Sequence, residues 1–150
     1  MMKPTLLLSA ILALALAGAA QDTGYWRASS NTAAKITGDI AISSSRLTIG
    51  FAAFPLDFVR TLKPAEVSAV FDADVNAGFT GTLYRVKVPA ERRFQHHNTL
   101  CGSEDTTWMA TFLSGRALQV AFFSGPDAPL FTMDAIGRSE ALCGTYTYVR

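Results

Sequence analysis

Two cysteines, two histidines, four glutamates and eight aspartates are all that 150 residues offer of the thiols, imidazoles and carboxylates most used for catalysis and metal binding. The chain has no Gly-rich phosphate loop and no Gly-x-Ser-x-Gly elbow, so the phosphate-cradling and esterase-type signatures are missing. It has no Asn-x-Ser/Thr acceptor for glycosylation and no internal repeat. After residue 20 no apolar run approaches the 20 or so residues that a membrane-spanning helix needs. Charge of either sign is also sparse. Without Lys3 the chain carries twelve basic and twelve acidic residues. That balance gives no electrostatic reason to expect nucleic acid or an anionic membrane surface as a partner.

What is present begins with an export signal. Lys3 is the only charge before Asp22, Leu6 to Ala17 is an unbroken run of Leu, Ala, Ile and Ser, and Ala17-Gly18-Ala19-Ala20 follows. A basic tip, an apolar stretch of about a dozen residues and a small-residue exit make a cleavable secretory signal over residues 1–20. Cleavage after Ala19 or after Ala20 fits the exit. No Cys follows it, so no lipid anchor is expected. Residues 21–150 are then a single domain, soluble in the periplasm or outside the cell.

Both cysteines lie in that domain, each set as Leu-Cys-Gly: Leu100-Cys101-Gly102 and Leu142-Cys143-Gly144. Export places them where thiols oxidise, and a redox pair would sit closer together, as Cys-x-x-Cys. A structural bridge between Cys101 and Cys143 is expected. It closes a loop of about 43 residues, which chain entropy values at roughly 4 kcal/mol before strain is subtracted.

The dominant hydrophobic period is two. Ile36, Gly38, Ile40 and Ile42 alternate with polar or small residues, as do Leu47, Ile49 and Phe51. Tyr84, Val86 and Val88 alternate with Arg85 and Lys87, and further runs cover Trp108–Phe112, Leu118–Phe122 and Tyr146–Tyr148. Turn residues separate them: Ser44-Ser45, Asn76-Ala77-Gly78, Ser114-Gly115 and Gly125-Pro126-Asp127. Side chains alternate across a strand, so each run offers one apolar face to a core. The expected fold is all-β, a small antiparallel barrel or sandwich of seven to nine short meandering strands. One short helix is expected over residues 63–71, with Pro64 near its start, and a weaker one near Met133 to Ala141.

Four features are candidates for function. Gly24-Tyr25-Trp26 stands just before the first strand and resembles the Gly-x-Trp opening of lipocalin-type barrels. That resemblance implies a Trp closing the barrel base, with Gly24 and Trp26 at that base, and an apolar ligand cavity. A Thr-Asp-Tyr-like second motif is missing. Asp72, Asp74 and Asn76 place oxygens at alternate positions and form a weak calcium candidate. The EF-hand pattern fails there, because Ala77 and Leu83 occupy its Gly and Glu places. His96 and His97 follow Arg92 and Arg93 in a basic stretch that could receive an acidic group on a partner protein. Adjacent Phe122 and Phe123 point to opposite faces of a strand, so one must meet solvent, a second layer, a ligand or a partner. Phe122, Phe123, Arg92, Arg93, His96 and His97 are thus the candidate binding surface.

No catalytic residue, metal or cofactor is named by the sequence. Small exported β domains of this kind work mostly by binding, so the expected role is a non-catalytic protein-binding or inhibitor-like module acting on another envelope or secreted protein. Two alternatives remain. A carrier of a small apolar ligand would need an enclosed cavity of at least about 300 Å3. A hydrolase would need His96 or His97 beside a Ser or a carboxylate in a cleft.

Overall fold

The structure is a computed structural model that describes residues 21–150; the expected leader lies outside the described residues. Eight strands close into an antiparallel barrel in simple chain order. They are β1 (Gly24–Ala28), β2 (Ile40–Ile42), β3 (Arg46–Ile49), β4 (Ala52–Leu62), β5 (Gly81–Val88), β6 (Thr106–Ser114), β7 (Ala117–Ser124) and β8 (Leu142–Val149). Closure comes from β1 pairing with β8, Arg27 opposite Val149 and Ala28 opposite Tyr148. A barrel has no free edge to recruit other strands. The disulfide joins Cys101 to Cys143.

Three helices lie in the connections: α1 (Asn31–Ile36), α2 (Pro64–Phe71) and α3 (Met133–Gly137). α2 follows the expected course. Pro64 sits in its first turn, and the Glu66 carboxylate accepts from the Lys63 amide at 2.8 Å while gripping Arg60 through both oxygens. α1 corrects the sequence reading, which gave Ile36 to a strand. Ser30 caps Asn31–Ile36 by accepting from the Ala33 amide, and the helix ends before Gly38, which is left-handed. The Ser30 cap and the left-handed glycine outweigh one alternating Ile. The strand expected to reach Phe51 stops at Ile49, because Ile49 faces Ala52 and leaves Gly50-Phe51 as a two-residue turn. Gly50 has φ 61°, the conformation a tight hairpin asks of its first residue. β4, eleven residues long, was not marked by alternation. Pro55 and the run Phe58–Val59–Arg60 obscure it, and its ladder to β5 is irregular between Phe58 and Arg60.

The barrel carries two apolar layers, one on each face of the strands. Inside, Trp26, Ile40, Leu47, Leu56, Met109, Val120, Phe122, Tyr146 and Tyr148 belong to one cluster and are almost wholly buried. Outside, α2 and α3 come down over β5, β6 and β7 and cover Leu83, Trp108, Ala110, Phe112, Ala121 and Phe123 together with Leu62, Val67, Val70 and Phe131. This second layer explains why β6 and β7 read as nearly continuous apolar runs, and why β5 is buried on both faces from Gly81 to Tyr84 and alternates only beyond.

Antiparallel order gives the barrel two distinct ends. The upper end holds the β1–β2 connection with α1, the Gly50-Phe51 turn, the β5–β6 loop with Cys101, and the β7–β8 loop with α3. The lower end holds residues 21–23, the Ser43–Ser45 turn, the α2 connection, the Gly115-Arg116 turn and the C-terminal Arg150.

Candidate functional site

The lumen is filled by the protein's own side chains. Trp26, Met109, Phe122 and Tyr148 are each 0% exposed, and the Phe122 and Tyr146 rings meet edge to face at 5.3 Å. The polar tips in this interior are satisfied: the Tyr148 hydroxyl lies 2.7 Å from the Thr37 hydroxyl. Burial pushes the Tyr146 phenol up to about 12 and raises Tyr148 further. Trp26 lies toward the lower mouth. Its indole N–H donates to the Asp22 carbonyl at 2.8 Å, and the Arg150 guanidinium stacks on its ring at 4.3 Å. Gly24 starts β1 beside it, opposite Ile42.

Phe122 and Phe123 do point to opposite faces, but neither forms an exposed surface. Phe122 enters the lumen. Phe123 packs under the chain's own β7–β8 connection, edge to face with Phe131 at 5.9 Å. The second layer, which alternation alone cannot reveal, is the reason.

The upper mouth is different. The β5–β6 loop folds across it, with Phe94, Leu100 and Cys101 against the lumen cluster. Phe94 meets Phe54 edge to face, and Arg92 stacks over the same Phe54 ring. The disulfide holds this loop to Cys143, the second residue of β8. At its tip His96 and His97 both adopt left-handed backbone, φ 54° and 61°. Non-glycine residues rarely do so, and each such position stores about 1 kcal/mol or more. The loop is held there by Asn98 donating to the Lys35 carbonyl and by the Gln95 side chain lying against Gly38. Both imidazoles are exposed, and neither makes a side-chain hydrogen bond to a Ser or a carboxylate among the described residues. Arg93 donates to the His97 carbonyl and remains at the surface beside Arg92.

At the same end stands the most exposed apolar side chain of the described residues. Phe51, on the Gly50-Phe51 turn, shows 110% of its reference area to solvent. Sequence reasoning placed it inside a strand. The Gly50 before it was the available signal for a turn tip.

The remaining candidates are plain. Asp72 is the left-handed cap of α2, and the Asp74 carboxylate accepts from the Asn76 amide in a 3-10 turn, which accounts for that acidic stretch locally. No group of three or more His, Cys, Asp or Glu converges on a metal position among the described residues. A shallow groove of about 540 Å3 runs along the outer wall, where Asp57, Asp105, Arg85 and Lys87 balance one another. No helix among the described residues is long and apolar enough to cross a membrane.

Comparison of the chain with known protein families, with curated proteins and with solved structures finds no match.

Proposed function

We propose that this protein is an exported, non-catalytic binding module that presents its upper mouth to another envelope or secreted protein. The observation that carries the reading is Phe51. A fully exposed phenylalanine on a two-residue turn is held out on a rigid hairpin, and a socket that covers it gains roughly 1.5–3 kcal/mol. Preorganised aromatic anchors of this kind dominate binding energy where they occur. The shape is convex, so the partner supplies the socket. Arg92, Arg93 and the two histidines share this end of the barrel and favour a partner whose socket is rimmed by carboxylates. The filled lumen supports this reading over that of an apolar carrier. The free-standing histidines support it over that of a hydrolase. The disulfide fits residence in an oxidising compartment.

A photo-crosslinking amino acid at position 51, introduced in producing cells, tests it. A discrete protein adduct is expected, lost when Arg92 and Arg93 are both replaced by Glu. Adducts to lipid alone, or no adduct at all, would overturn the reading.

A further inference from the structure

A second site, independent of the upper mouth, lies at the other end. The chain enters the barrel there through Asp22, which is 4% exposed. The Tyr84 hydroxyl donates to its Oδ2 at 3.0 Å, and the Thr111 hydroxyl donates to that same oxygen. Oδ1 receives no hydrogen bond from the described residues. Beside this carboxylate is a recess of about 270 Å3 at the lower rim, lined by Asp22, the rings of Phe79 and Phe112, and Thr61, Thr80 and Thr82. No Lys, Arg or His lines it.

We propose that this recess binds a small organic amine, with its ammonium on Oδ1 of Asp22 and its alkyl part against Phe79 and Phe112. The chemistry narrows the ligand class. No enclosed side-chain oxygen among the described residues lacks a partner, so Oδ1 is the oxygen of Asp22 left open to solvent, and a charge-assisted N–H···O bond is the strongest contact it can gain there. An ammonium brings three donors, and the threonine hydroxyls at the rim accept the others. Ring faces next to a cation add attraction. A metal ion is the poorer occupant, since it wants several oxygen or nitrogen ligands and a single carboxylate is on offer. The nearest cation, Arg150, is already engaged. It donates to the Gln21 and Thr23 carbonyls while stacked on Trp26. It offsets part of the charge of Asp22 across the barrel rim without reaching a hydrogen bond to it, and burial still raises the carboxyl above its ordinary range. Amine binding therefore weakens as pH falls and Asp22 takes up its proton.

The test is a titration of the purified protein with n-butylamine, followed by backbone amide resonances, with n-butanol as the neutral isostere. Saturable shifts confined to Thr61, Phe79, Thr80 and Thr82 are expected with the amine and absent with the alcohol. Asp22→Asn keeps an acceptor for Tyr84 and Thr111 but loses the charge; removing a charged hydrogen bond should weaken binding by roughly tenfold to a hundredfold. Thr61→Tyr, at an exposed strand position, fills the recess without touching the Asp22 network and should abolish the shifts. The proposal is overturned if butylamine moves none of these resonances, if butanol moves them equally, or if both variants titrate like the parent. None of these results bears on Phe51, so the two readings stand or fall separately.

Discussion

The two mouths of this barrel are built on opposite plans. The lower one is tied together by polar bonds: Asp22 takes the Tyr84 and Thr111 hydroxyls on one oxygen, Trp26 donates to a carbonyl, and Arg150 ties residues 21 and 23 across the C-terminus. The upper one keeps a bare phenylalanine in water and two histidines in backbone they disfavour, and it is held together by sulfur. Polar satisfaction at one end and stored strain at the other indicate where stability is made and where it is given up. Strained, exposed positions persist only where the surrounding structure forces them, and they collect at binding sites.

The largest test of that contrast is the bridge. Cys101→Ser and Cys143→Ser should each lower stability by about 4 kcal/mol at most, and by the same amount, as chain entropy predicts for a loop of this size. Denaturant unfolding measures both. If the upper mouth depends on sulfur, the loss should come with faster amide exchange at residues 92–101, while Asp22 and Trp26 stay protected. Unequal losses, or uniform exchange over both ends, would remove the contrast.

At the lower mouth the effect should be smaller and depend on pH. Asp22→Ala strands two buried hydroxyls and should cost about 1–3 kcal/mol. Asp22→Asn keeps an acceptor and should cost less. Desolvation is the main cause of the raised carboxyl of Asp22, and it outweighs the two hydroxyl bonds and the Arg150 charge that pull the other way. The folded state thus holds this proton more tightly than the unfolded chain does. Below the ordinary Asp range both states are protonated and nothing is lost. As pH rises through that range and on through the raised value, the unfolded chain ionises first, so the parent loses stability relative to Asp22→Asn. Asp39 and Glu66, held below their usual values by Tyr25 and Arg60 respectively, act with the opposite sign, which is why the difference between parent and Asn variant is the quantity to follow. A parent that gains on the variant as pH rises would mean that the hydroxyl bonds dominate burial.

This contrast was only partly legible in the sequence. Alternation disclosed the strands whose inner face is apolar and outer face polar, and the paired Leu-Cys-Gly settings disclosed the bridge. It could not disclose the second apolar layer, because Phe123 and Trp108 carry the same signature whether a helix, a ligand or a partner covers them. Asp22 was visible only as the first charge after the expected leader, since its partners Tyr84 and Thr111 lie far along the chain. Phe51 was misplaced because Gly50 acts through backbone freedom, which a count of apolar residues ignores. The basic loop was noticed for its charge, whereas its left-handed backbone depends on contacts with α1 that no local pattern records.

The smallest effect probes that backbone directly. Glycine adopts positive φ without the Cβ clash that histidine suffers. His96→Gly and His97→Gly should each therefore raise the unfolding free energy from denaturant titration by about 1 kcal/mol, less what glycine gains in the unfolded chain. A residue kept at a cost to stability is expected to act elsewhere, and here its neighbours in the fold are Arg92, Arg93 and the end that carries Phe51. The glycine variants should then be more stable than the parent and yet give less of the position-51 crosslink. More stability with an undiminished crosslink would assign the strain to the loop's own closure and leave Phe51 as the sole anchor. Less stability would show that the imidazoles hold the loop in place, and the contrast between a satisfied end and a strained one would then be wrong at its upper end.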